Sequence, residues 1–249
     1  MIPIGDDNYG RTTTPYVNYI LIALNLLVFV VFQGAGNNLD FTYAFSTVPQ
    51  EIITGEDVVT QNQVYVDSST GQQFTVPGLQ PTPISVYITL FTAMFMHGGW
   101  AHILGNMLYL WIFGDNLEDR LGHGRYLIFY LLVGLLASLA HVFASVALSD
   151  NLQIPSLGAS GAIAGVLGGY LLLFPQNRVT VILVRVVTQV RAIFAVGLWF
   201  VLQLFGGLGT LTGGSDGVAY AAHIGGFIAG LALIKLFDAG RPNRAAQWR

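Results

Sequence analysis

The chain has 249 residues, 53% of them hydrophobic and only 9% charged, with a formal net charge of −3 at pH 7. Soluble domains carry about 25% charged residues, so this composition excludes an ordinary water-soluble protein and makes a polytopic membrane protein the default. The sequence contains no cysteine, which removes disulfides, thiol catalysis and cysteine-ligated zinc.

In chain order, residues 1–15 are polar and lack the basic-then-apolar layout of a cleavable signal; they are expected to form a cytoplasmic N-terminal segment. A span needs roughly 20 mostly apolar residues, and six stretches approach that: 16–32, 100–113, 126–147, 156–174, 192–208 and 218–237. The first is expected to stay as a signal anchor. Residues 34–95 make a long outer first loop carrying Asp40, Glu51, Glu56, Asp57 and Asp67. Within it, 58–76 alternates polar with β-branched residues, the pattern of a small hairpin. Residues 90–96 are too apolar for a solvated loop and are expected in the interface or against the helices.

Residues 114–122, with Asp115, Glu118, Asp119 and Arg120, read as a compact cytoplasmic turn after the second span. In the connection 175–189, the apolar run 179–187 is broken by Arg185 and is expected to lie on the membrane surface. Residues 206–217 contain six glycines and suggest a flexible outer cap and, with the fifth span, a moving gate. Residues 238–249 form a basic cytoplasmic tail. The expected fold is therefore all-α, a six-helix membrane domain over 16–237.

Orientation comes from the basic residues. Arg11, Arg120, Arg125, Arg178, Arg185, Arg191, Lys235, Arg241, Arg244 and Arg249 all fall on one side of a six-span arrangement. Lys and Arg mark the cytoplasmic side, so both termini are expected there, in a multi-pass protein of the plasma or inner membrane. The lipid bilayer is the expected environment, and no nucleic-acid partner is expected.

Spans two, four and six then all run inward, each with polar residues near its outer start: His97, His102 and Asn106, then Ser160, then His223. Residues four or five positions into a helix lie roughly 5–8 Å along it, so these groups are expected at one depth. Gly161, Gly165 and Gly169 form a smooth ridge on span four, and Gly226 and Gly230 match it on span six. Such ridges let membrane helices pack almost backbone to backbone. Packing alone could explain these glycines, yet the same ridges would bring Ser160 to His223.

A serine hydroxyl needs an adjacent base to become a nucleophile, and His223 is the candidate. A triad would add a carboxylate, but the acids all read as terminal or in loops, which favours a Ser–His dyad. His102 and Asn106 stand i and i+4 on one helix face as candidate oxyanion donors, beside the Ser160 amide, with Gly158 relaxing the chain there. A structural interhelical hydrogen bond is the alternative for Asn106. His97 is expected to bond loop backbone, and His141 to line or pack the third span. No His-Glu-x-x-His helix is present, so no metal is expected, nor any other cofactor.

With these residues in place, the sequence resembles the rhomboid family of intramembrane serine proteases. The matching runs stand in family order: His97-Gly98-Gly99-Trp100-Ala101-His102-Ile103-Leu104-Gly105-Asn106, Glu118-Asp119-Arg120-Leu121-Gly122, Gly158-Ala159-Ser160-Gly161, and His223-Ile224-Gly225-Gly226-Phe227-Ile228-Ala229-Gly230. The resemblance implies Ser160 as nucleophile and His223 as base. It implies an oxyanion hole from His102, Asn106 and the Ser160 amide, and Gly158 facing the substrate. Glu118 and Arg120 would pin the cytoplasmic turn. It also implies a water-filled cavity open to the outer face, and single-span membrane proteins as substrates. Two departures stand out: Ile88-Thr89 replace the family's Trp-Arg pair, and Ala164 replaces an aromatic that some members pack against the histidine. A catalytically inactive rhomboid-like protein that binds transmembrane clients is the alternative. Oligomeric state is not legible.

Overall fold

A computed structural model of the chain describes residues 1–66, 71–148, 152–211 and 219–241. Strand β1 (Ile2–Asp6) precedes helix α1 (Tyr16–Leu27), which runs on into a π-helical turn at Val28–Phe32. Two short helices follow, α2 (Leu39–Ala44) and α3 (Pro49–Thr54), then the antiparallel hairpin of β2 (Gln63–Val66) and β3 (Gln73–Val76). Short helical turns flank α4 (Thr89–Thr92) before the long helices α5 (Trp100–Leu121) and α6 (His123–Ala147). Helix α7 (Ser160–Leu173) leads into strands β4 (Arg178–Leu183) and β5 (Val186–Arg191), then α8 (Ala192–Leu211) and α9 (Tyr220–Asp238).

The protein is mostly helical. Among the described residues, three helical stretches are long and apolar enough to cross a membrane: His123–Ala147, Ala192–Gly209 and Tyr220–Asp238. Tyr16–Phe32, Val86–Phe95 and Ser160–Leu173 are shorter apolar helices. Helix is the natural state of such segments in lipid, because the backbone must satisfy its own hydrogen bonds.

The all-α expectation needs correction. Strands β1, β4 and β5 form a three-stranded antiparallel sheet in that spatial order, with Ile2 opposite Ile182 and Arg178 opposite Arg191. The run 179–187 thus turns back on itself as a hairpin, with β-branched residues on both sides of Arg185, and the N-terminal segment supplies the third strand. The hairpin expected within 58–76 is present. Residues 34–95 are more structured than expected, because α2 and α3 take up part of that loop.

Two helix boundaries also move. Residues 114–121 continue α5 instead of turning, and the break falls at Gly122, whose φ of 77° is open to glycine and costly for other residues. The acids there are held by the N-terminal segment. Asp119 accepts the Thr12 and Thr13 N–H groups at 3.0 and 2.7 Å, and Asp115 pairs with Arg11. Glu118 is fully buried and accepts the Val17 and Asn18 N–H groups at 2.9 and 2.6 Å, placing a carboxylate at the positive end of α1. Arg120 grips Asp238 through Nε at 2.5 Å and a second nitrogen at 2.8 Å, tying the end of α5 to the end of α9. Polarity therefore marks where these helices leave their apolar surroundings, and not where they end.

At the other end, Ser160 is the first residue of α7, not the fourth or fifth; the four residues from Ser156 lie ahead of the helix. Helix α7 is the centre of the molecule, buried continuously from Gly161 to Tyr170 and packed by α5, α6 and α9. The glycine ridges explain its approach to α9. A methyl on Gly226 would overlap the carbonyl oxygen of Gly161, and one on Gly230 that of Gly165. Leu90, Ala93, Met94 and Met96 are buried, as their apolar character requires.

Candidate active site

Backbone contact between α7 and α9 sets the distance between the two side chains that head them. His223 Nε2 lies 2.7 Å from Ser160 Oγ, a hydrogen bond between a hydroxyl and an imidazole. The other ring nitrogen, Nδ1, lies 2.7 Å from Oε1 of Gln203 on α8. An amide oxygen can only accept, so that contact puts the ring proton on Nδ1 and leaves Nε2 to accept from the serine. Trp199, one turn earlier on α8, brings its ring centroid to 6.0 Å from that of His223, and Tyr220 on α9 stands at 6.4 Å. These two rings flank the imidazole in a chain that has Ala164 one turn after the serine.

Ser160, His223 and Gln203 line a cavity of about 860 Å³ together with His102, Asn106 and His141. Gly158 adopts φ of 126°, in the left-handed half of backbone space that glycine tolerates and side chains resist. Its N–H donates to the carbonyl of Ala93 at 2.8 Å, which ties the serine loop to the apolar turn before α5. A Cβ at this position would meet His102 Nε2 at 2.8 Å and Ser160 Oγ at 3.5 Å, so the His102 imidazole and the serine hydroxyl both face Gly158.

The His102 tautomer follows from its other nitrogen. The Gly98 N–H donates to His102 Nδ1 at 3.3 Å, so the proton sits on Nε2, on the side facing Gly158. Asn106 is buried, lines the same cavity, and its side-chain Nδ2 has no hydrogen-bond partner. A buried amide donor left unbonded costs about 1–3 kcal/mol. The Ser160 N–H belongs to the first turn of α7, where no intrahelical acceptor exists.

The structure brings Ser160, His223, His102 and Asn106 to one cavity, and Gly158 lines a smaller pocket that also reaches Ser160. Gly161, Gly165, Gly226 and Gly230 lie in the α7–α9 contact behind it. His97 bonds through its backbone: its N–H donates to Gln33 Oε1 and its carbonyl accepts from Gln33 Nε2, both at 2.9 Å. Burial, reinforced by His102, pulls the His97 imidazole down to about 3, so it stays neutral. Gln203 escaped the sequence reading. A single neutral amide in an apolar helix carries little signal; its position four residues after Trp199 was the one available clue.

Residues 85–238 match the family model for the Rhomboid domain. That match covers well over half of the chain, and the chain belongs to the rhomboid family. It is 28% identical over 218 residues to Rhomboid protease GluP of Bacillus subtilis, covering 87% of this chain and 34% of that protein. To Rhomboid protein 1, mitochondrial, of Saccharomyces cerevisiae it is 31% identical over 153 residues, 61% of this chain and 42% of that one. To RHOMBOID-like protein 4 of Arabidopsis thaliana it is 36% identical over 144 residues, 58% of this chain and 32% of the relative. The chain thus spans less than half the length of these curated relatives. Family and helices together make it a multi-pass membrane protein.

Proposed function

We propose that the protein is an intramembrane serine endopeptidase that cuts single-span membrane proteins within or beside their transmembrane segments. The Ser160–His223 hydrogen bond of 2.7 Å, in a cavity lined also by His102 and Asn106, carries this reading. Ser160 Oγ attacks the scissile carbonyl carbon as its proton passes to His223 Nε2. The oxyanion takes hydrogen bonds from His102 Nε2–H, Asn106 Nδ2–H and the Ser160 N–H, at the positive end of α7. Collapse breaks the C–N bond, and the proton on Nε2 leaves with the amine. Water then adds to the acyl-enzyme, returns a proton through Nε2, and releases the carboxylate and Ser160.

Topology supports the same reading. In this reading α1, α5, α6, α7, α8 and α9 are the six spans, with the sheet, both termini and the basic residues on the cytoplasmic side. With 14 residues α7 rises only about 21 Å, against a hydrocarbon core of about 30 Å. Its far end is held at the sheet, where Tyr170 Oη donates to Asp6 Oδ2 at 2.5 Å. Ser160 therefore sits below the outer surface, and the cavity brings it water. Residues 212–217 of the glycine-rich cap expected to act as a gate lie outside the described residues.

The test is cleavage of a panel of single-span helices in proteoliposomes. The wild type is expected to release two fragments, and Ser160→Ala to lose at least about 10³-fold in rate, the scale of a lost nucleophile. Equal cleavage by both proteins would refute the mechanism.

A further inference from the structure

Resting on the serine-protease reading, we infer that Gln203 is the positioning residue for the base: its side-chain oxygen holds the His223 Nδ1 proton and so fixes the tautomer that accepts from Ser160. Three observations converge. Gln203 Oε1 and His223 Nδ1 are 2.7 Å apart, matching the 2.7 Å on the other side of the ring. The carboxylates of the long helices α5 and α9 lie at their C-terminal ends: Asp115, Glu118 and Asp119 on α5, and Asp238 on α9. The group occupying the orienting position is therefore a neutral amide. Trp199, one turn away, sets its ring at 6.0 Å and 39° to the same imidazole, so α8 both buttresses and polarises it.

The tautomer matters because the alternative cannot react. With the proton on Nε2, the imidazole would donate to Ser160 Oγ and could not take its proton. Removing the orienting acceptor from a serine–histidine pair leaves the geometry intact while lowering turnover. Glutamine does this work without burying a charge among apolar helices, where an ionised carboxylate is costly.

Two substitutions separate hydrogen bonding from packing. Methionine keeps the bulk of Gln203 without its acceptor; glutamate restores an acceptor and, when ionised, offers nothing else. The rates are those of fluorophosphonate labelling and of cleavage of one single-span substrate, both at pH 8. Gln203→Met is expected to lower kcat at least about fivefold with little change in KM, within the range of an alignment effect on a general base. Gln203→Glu is expected to recover most of that loss. A smaller loss in Met, or a Glu variant as poor as Met, overturns the inference.

Should the Met variant unfold, the imidazole ¹⁵N spectrum of the wild type decides. His223 is assigned by its disappearance in His223→Ala. A proton on Nδ1 supports the role of Gln203, and a proton on Nε2 refutes it. Wild-type and Ser160→Ala labelling, run alongside, report separately on the serine itself. If the wild type is never labelled, the protease reading fails, and the spectrum still reports what Gln203 does to the ring.

Discussion

At the scale of single residues, the site consists of groups whose partners are missing or replaceable. Asn106 Nδ2 has no acceptor, and His102 presents Nε2–H because Gly98 occupies its other nitrogen. Asn106→Ala is accordingly expected to lower kcat by about 10²-fold, the cost of one oxyanion donor, while leaving the melting temperature in detergent nearly unchanged. Gly158→Ala combines a strained φ with a clash against His102. A loss of activity larger than that of Asn106→Ala is expected, read from the labelling rate. Ser160, His223, His102 and Asn106 stood out because each is a reactive or polar type in an apolar setting; equal depth along the helix was a poorer guide, since Ser160 opens α7 while Asn106 is the seventh residue of α5. Gln203 was not, since its meaning lies in a partner 20 positions away on another helix.

At the scale of elements, packing between α7 and α9 is what places the serine at the histidine. Gly226→Ala would drive a methyl into the Gly161 carbonyl, and backbone cannot step aside as a side chain can. It is expected to destabilise the protein by about 1–3 kcal/mol and to abolish labelling. Gly105→Ala is the control, because nothing lies within 4 Å of its added Cβ and neither property should change. The glycine ridges were readable from their spacing of four. The ends of α5 and α7 were not. Hydropathy reports where apolar surroundings stop, whereas Asp115, Glu118 and Asp119 each find a partner in the first 18 residues, Glu118 pairing with His123 as well, and let α5 run on. The start of α7 at Ser160 is set by Gly158 and its bond to Ala93, a tertiary contact with no local signature.

At the scale of the whole molecule, the serine end and the sheet end are distinct, and the second is a polar lock. Asp6 on β1 accepts from Tyr170 on α7 at 2.5 Å and from Asn116 on α5 at 2.7 Å. Burial pushes its carboxyl up to about 7, with the charge of Asp115 adding to the effect. A carboxyl raised this way binds its proton more tightly folded than unfolded. Its contribution to stability is therefore present at low pH and lost as pH rises from about 4 to about 7. Asp6→Asn, which keeps a neutral side chain in place, is expected to flatten that part of the stability-against-pH curve in detergent unfolding. An unchanged slope would show that Asp6 titrates normally. None of this lock was legible beforehand, because the polar N-terminus resembles a free tail until β4 offers it an edge.

These scales meet at Ser160, where short helix, glycine ridge and cavity converge. The most direct test is to react the protein in detergent with a fluorophosphonate and locate the adduct by peptide mass spectrometry. The adduct is expected on Ser160, and it should vanish in both Ser160→Ala and His223→Ala. An adduct on another residue, or equal labelling after Ser160→Ala, would contradict serine chemistry at this site.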